Sequence, residues 1–333
     1  MRLNLIKQSL IPAFLSLVLL VVLGMHCATD GTPIADVRQG FDHELLPIVP
    51  LGNFLADWQV AHPGWSTWIA GILMLFAGTT LGRLAVRYNL YGTGTCIAIP
   101  LYGMVMCSAL CEGYNLTTVV ASLFTNLAVK NLCMSYRNGF GFDRIFRGAM
   151  FLALLLLLEP TTLPLVVALP LATSLFRRTV REGVIAVAGF LLPIATLCYL
   201  NWAIGGSFTA PMEALYRIFM EGTWLQAPLN APQTQQLFVG SLLLLTIIAM
   251  VLFQANSYAI NTKARHILRF ACRLVWCTLL LFLLPHASTR LLGVLAVPTS
   301  LLLPVLFIRT HQSIAQTLYL LLLAASIGLM FLH

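Results

Sequence analysis

Three carboxylates and two arginines are the residues of this sequence best suited to chemistry. Asp42 and Glu44 flank His43 in the stretch FDHE. In that spacing an imidazole can tune a carboxylate as a proton acceptor, or the carboxylates can hold a divalent ion; a solvated loop has the same look. Glu159 stands before a proline inside LLLLLEPTTLPLVV, where a charge is costly unless it is paired or wetted. Arg217 and Arg290 have the group that a lipid phosphate seeks. Glu213 and Glu221 lie four residues to either side of Arg217, so that helix face can also satisfy itself.

The elements that must position these residues follow from composition. The chain has 333 residues, 59% hydrophobic and 9% charged, which places it among polytopic membrane proteins and outside the range of soluble domains. The net charge of +8 comes from bases placed singly or in twos and threes between apolar runs. That pattern is of positive loops facing the cytoplasm, not of a nucleic-acid surface. The eight cysteines fall in or beside apolar runs, without a CxxC pair or a histidine at ligand spacing, so they read as packing residues and no metal or cofactor is expected. No P-loop, zinc helix, nucleophile elbow or dinucleotide fingerprint occurs in a suitable context. The N-terminus has a basic start and an apolar middle, and lacks a clean cleavage site, so it reads as an uncleaved first helix.

Apolar runs lie near residues 8–27, 64–82, 94–111, 116–134, 183–203, 236–254, 270–284, 291–308 and 315–332. The region 148–176 is the pivot: it is either one crossing with Glu159 near its centre or a short hairpin with Glu159-Pro160 at its tip. The hairpin makes eleven segments and leaves Arg38, Arg217 and Arg290 as the outer bases of the nineteen Lys and Arg. A single crossing divides the bases almost evenly. The positive-inside rule selects the hairpin. The expected fold is therefore an all-α polytopic bundle of about eleven transmembrane segments in a single domain spanning 1–333, with outer loops near 28–63 and 204–235. The expected setting is a bacterial inner membrane, N-terminus cytoplasmic and C-terminus periplasmic. Glu159 is then a tip residue, either recessed in a wet cavity or wetted at the interface. The stretch from Pro211 to Gly222 reads as an amphipathic helix on the outer surface, with Met212, Leu215, Tyr216, Phe219 and Met220 on one face. Lys130, one turn past Asn126, reads as a snorkelling lysine.

The order of these parts resembles the C-type glycosyltransferase superfamily. The stretch from FRGAMFLALLLLLEPTTLPLVVALPLATSLFRR through VAGFLLPIATLCYLNWAIGGSF is similar to that superfamily's short-hairpin region, followed by a helix with a proline and a terminal Asn-Trp and glycine, at Pro193, Asn201, Trp202, Gly205 and Gly206. The resemblance implies a polyprenyl-phosphate-linked sugar as donor on the outer face. It also implies a first-loop acid that takes the acceptor's proton; FDHE, with Asp42 and Glu44, is the nearest match. The same stretch resembles more closely a family of bacterial multi-pass inner-membrane proteins of unknown function. The chain departs from the enzyme pattern in lacking an Asp-Glu pair at the loop start and a large soluble C-terminal domain. A non-catalytic membrane scaffold or subunit of an envelope assembly is the alternative.

Reporters fused after Arg147 and after Arg178 are expected in the same compartment, opposite to reporters after Asp42 and Gln226. Opposite locations for the Arg147 and Arg178 fusions would restore a single crossing.

Overall fold

The computed structural model of the chain describes residues 8–30, 50–110, 115–134, 141–220, 232–284 and 287–331, and the architecture is that of these residues. They form helices, with no strand among them. The helices are α1 (Leu10–Asp30), α2 (Pro50–Ala61), α3 (Pro63–Arg87), α4 (Ala98–Ala109), α5 (Leu116–Met134) and α6 (Phe142–Leu158). A 3₁₀ segment (Pro160–Val167) leads into α7 (Ala168–Leu175), followed by α8 (Val180–Ala203) and α9 (Ala210–Met220). The chain closes with α10 (Gln233–Ala255), α11 (Thr262–Leu281), α12 (Leu291–Arg309) and α13 (Gln312–Phe331).

Each of the expected apolar runs contains a helix among the described residues, but the count of crossings is corrected. Seven helices, α1, α3, α5, α8, α10, α12 and α13, are long and apolar enough to cross a membrane. The others fall short for physical reasons. The 12 residues of α4 rise about 18 Å, against a hydrocarbon core of roughly 30 Å. Helix α6 opens with Asp143, Arg144 and Arg147. The segment after Glu159 starts as 3₁₀ because Pro160 and Pro164 withhold two backbone donors. Lys263, Arg265, Arg269 and Arg273 lie within the first twelve residues of α11.

The core is built around α12, which is buried along almost its whole length. Helices α3, α4, α5, α10, α11 and α13 pack around it. Exposed apolar side chains ring the outside: Ile11 and Leu15 on α1, Val184 and Leu191 on α8, Leu244 and Val251 on α10. A surface of that kind suits contact with lipid. Trp65 and Trp68 at the start of α3 are exposed, as are the paired rings of Tyr199 and Trp202 at the end of α8, the side chains that favour a membrane interface.

The hairpin is explicit in the contacts. The end of α5 meets the start of α6, where Gly148 lies against Leu132 and Asn131, and Arg178 donates to the Leu132 carbonyl at 3.2 Å. Both limbs of the hairpin therefore have their basic ends at the same end of the bundle, and Glu159 lies at the other. Helix α8 then packs beside α6, Gly189 lying directly on the Phe146 backbone. Arg178 and Glu182 form a buried ion pair at 3.4 Å. Thr179 and Glu182 close a capping box that starts α8.

Two elements differ from the sequence reading. Helix α2 lies inside the expected first outer loop, and its buried Gln59 accepts the Leu116 amide at the start of α5 at 3.0 Å. Helix α9 forms as expected, but it packs on α8 and the 3₁₀ segment through Pro211, Ala214 and Leu215, leaving Met212, Tyr216 and Met220 exposed.

Close approach of α12 to α5 requires Gly293, since a Cβ there would lie 2.6 Å from the Thr118 carbonyl oxygen. Gly293→Ala is expected to destabilise by about 1–3 kcal/mol, as overpacking against backbone does. Gly328→Ala, with open space around it, is expected to be neutral or slightly stabilising. Thermal unfolding of the purified protein measures both.

Candidate functional site

Glu159 is placed by its neighbours in sequence. Proline at 160 disfavours the helical conformation for the residue before it, so α6 stops and Glu159 takes an extended backbone, φ −141° and ψ 100°. Its amide still closes the last turn on the Leu155 carbonyl at 2.9 Å. Its own carbonyl accepts the Thr162 hydroxyl at 2.7 Å, and its Oε1 accepts the Thr161 hydroxyl at 3.0 Å. The stretch Glu-Pro-Thr-Thr is thus a self-capping turn, which accounts for its two threonines.

The carboxyl is neither wetted at a surface nor set at the centre of a crossing helix. Glu159 is 6% exposed. Facing it is the connector between α11 and α12, from which the buried Arg290 acts on the carboxyl electrostatically and Ser288 lies alongside. Ser288 stands close without forming a hydrogen bond of good geometry: its hydroxyl and the Glu159 Oε2 are both buried and lack a partner in hydrogen-bonding position. A carboxylate, a guanidinium and two hydroxyls from segments 131 residues apart in sequence therefore share one polar site in an apolar bundle. Such a site has the parts to hold a phosphate or to move a proton at Oε2.

An apolar groove of about 530 Å³ lies beside the same connector, between α10, α11 and the start of α12. Leu243, Trp276, Leu280 and Leu295 line it, with Thr289 and Gln235 among its polar residues. Gln235 is 1% exposed and donates to the Ser108 carbonyl at 2.9 Å, capping α4. Its Oε1 has no partner. The connector thus presents Ser288 and Arg290 to Glu159, and Thr289 to the groove.

Of the residues singled out from sequence, the structure brings Glu159 and Arg290 together. Arg217 does not join them: it is exposed on α9. The expected Glu213 to Arg217 pairing gives way to a cap, Glu213 Oε1 accepting the Thr209 hydroxyl at 2.8 Å. Asp42, Glu44 and Glu221 lie outside the described residues. Lys130 is half-buried, while Asn126 donates to the Ala77 carbonyl and to Thr80, joining α5 to α3. The cysteines of the described residues are free thiols, and no group of metal-ligating side chains occurs among those residues. Ser288, Thr161 and Gln235 escaped the sequence reading. A serine or glutamine at the edge of an apolar run gives no local sign of what it faces.

Comparison with family models, with curated proteins and with solved structures gives no match.

Arg290→Met leaves the Glu159 carboxyl buried beside no cation and is expected to destabilise by about 3–5 kcal/mol. Glu159→Gln in the same chain is expected to recover most of that loss. A double-mutant cycle on thermal unfolding measures the coupling, and additive effects would mean that the two groups do not act on each other.

Proposed function

We propose that this integral membrane protein is a C-type glycosyltransferase-like enzyme of the bacterial inner membrane, acting on a polyprenyl-phosphate-linked sugar. In this reading the Glu159 end of the bundle faces the periplasm. The electrostatic contact of Glu159 with Arg290 beside an apolar groove carries the reading: a guanidinium for phosphate and an apolar groove for a chain lie on two sides of one connector.

The reaction assigns each group a task. The donor phosphate takes up Arg290, whose guanidinium stabilises the charge that grows on the leaving polyprenyl phosphate. Asp42 or Glu44 accepts the proton of the acceptor hydroxyl as its oxygen bonds to the anomeric carbon and the bond from that carbon to phosphate oxygen breaks. Glu159 holds Arg290 in position before the donor arrives. The second reading, a non-catalytic membrane subunit, has one observation in its favour. The Glu159 site is enclosed by protein, as expected if the attraction between Glu159 and Arg290 serves to fasten the hairpin to α12.

Isosteric substitution separates the two. Asp42→Asn or Glu44→Gln is expected to lower turnover by about 10²–10⁴-fold, the usual worth of a positioned base, and so to abolish complementation of a deletion at normal membrane level. Glu159→Gln is expected to weaken function less. Full complementation by the Asp42→Asn/Glu44→Gln double variant would remove this loop as the source of the base and leave the scaffold reading.

A further inference from the structure

At the end of the bundle opposite Glu159, like charges crowd together. Phe176 packs on Phe270 of α11, ring centroids 5.9 Å apart, which brings the connector between α7 and α8 against the first turns of α11. There Arg269, Arg177 and Arg265 all act on His266; burial first, and then these charges, hold its imidazole below the usual histidine range. Arg265 lies over the Tyr258 ring at 5.8 Å and donates to the Ile260 carbonyl at 3.2 Å, yet its Nε is buried without a partner. Arg177 has φ 49°, a left-handed backbone that is strained for a residue with a side chain. The acids at this end are committed elsewhere, Asp143 to Arg147 at 3.1 Å and Glu182 to Arg178 and the Thr179 cap.

Gathering three guanidinium groups is unfavourable unless an anion offsets their repulsion. The shape of that anion is written on α11. Its exposed stripe runs from Arg269 and Arg273 to Trp276 and Leu280, cationic first and then apolar, about 10 Å from Arg269 to Trp276 at helical rise. A free phosphate would use the arginines and leave the apolar continuation without a role. A phospholipid uses both, its phosphate taken in forked hydrogen bonds by guanidinium groups.

We propose that Arg177, Arg265 and Arg269 form a binding site for the phosphate headgroup of an anionic phospholipid, with its acyl chain along Trp276 and Leu280. Trp276 and Leu280 also line the groove given above to the donor chain, so the test reads the headgroup arginines, which take no part in the Glu159 site. The lipid site is tested on the full-length protein in nanodiscs containing phosphatidylcholine with a minor fraction of phosphatidylglycerol, lipids retained on release being counted by native mass spectrometry. Wild type is expected to retain phosphatidylglycerol over phosphatidylcholine by about tenfold or more, and Arg177→Gln/Arg269→Gln to lose that preference. Arg87→Gln/Arg309→Gln, which removes the same charge from exposed helix ends, is expected to keep it. Without anionic lipid, the thermal midpoint of Arg177→Gln/Arg269→Gln is expected to stay level or rise, because repulsion has been removed. Arg269→Gln alone, on an exposed helix surface, gives the same comparison if the double variant does not accumulate. Equal loss in the control pair, no preference in wild type, or displacement of the lipid by inorganic phosphate at matched concentration would each overturn the proposal.

Discussion

In hydrocarbon a backbone or side-chain polar group without a partner costs several kcal/mol, and the arrangement of this bundle follows from meeting that demand internally. Hydroxyls within the helices return to carbonyls of their own turns: Thr80 to Ala77 at 2.8 Å, Thr246 to Leu242 at 2.7 Å, Thr299 to Leu295 at 2.8 Å. Ends of helices that stop inside protein are closed by side chains from elsewhere. Gln235 caps the end of α4 and Gln59 the start of α5. These long-range caps let a 12-residue helix remain buried among longer ones without exposing its carbonyls to lipid.

The same demand explains how α12 tolerates Pro298 and Pro304 at the centre of the fold. Each proline leaves a carbonyl without its usual donor and loosens the ladder nearby. The Tyr91 hydroxyl donates to the Leu301 carbonyl at 3.0 Å, beside the gap left by Pro304. A helix with that defect is safer enclosed by protein than facing lipid. Burial of α12 in turn needs small residues, so Gly293 lies against the Thr118 backbone. Gly78 and Gly103, from α3 and α4, both close on Leu17 of α1. Close packing of helices through small residues is what holds a bundle together when lipid is as apolar as its surfaces.

Much of this was legible in the sequence because hydrophobic runs, prolines and bases act locally. The Glu-Pro break and the basic ends of both limbs were enough to expect a hairpin, and the Pro211 start and period of α9 were enough to expect its helix. Other features leave no local trace. Helix α2 mixes Leu51, Phe54 and Leu55 with Asn53, Asp57 and Gln59, and reads as loop until Gln59 is seen to cap α5. Helix α12 is apolar on every side, a pattern shared by helices facing lipid and helices facing protein. The run at 94–111 looked long enough to span because Cys96, Ile97 and Leu110 continue its apolar pattern, although they lie beyond the ends of the helix. The meeting of Glu159 with Arg290 depends on how α6 and α12 pack, which no short window of sequence contains.

Two buried carboxylates, Glu159 and Glu182, fasten the hairpin region at opposite ends of the bundle. Glu182 is held by Arg178, which also reaches back to the end of α5. Glu159 faces Arg290 at the start of α12. Between these fixed points, the 3₁₀ segment is the weak link, since its hydrogen bonds are poorer than those of an α-helix and two of its residues are prolines. Helix α9 packs against this segment alongside α6, α7 and α11, and its exposed Met212, Tyr216 and Met220 suit the lipid interface. A displacement of α9 at the surface would therefore be passed to α8 and to the 3₁₀ segment, and through the latter to the carboxyl that precedes it. This part of the fold joins the membrane surface to a buried charge through a 3₁₀ segment whose hydrogen bonds are weaker than those of the α-helices around it, which is the physical route by which movement at the surface reaches the Glu159 site.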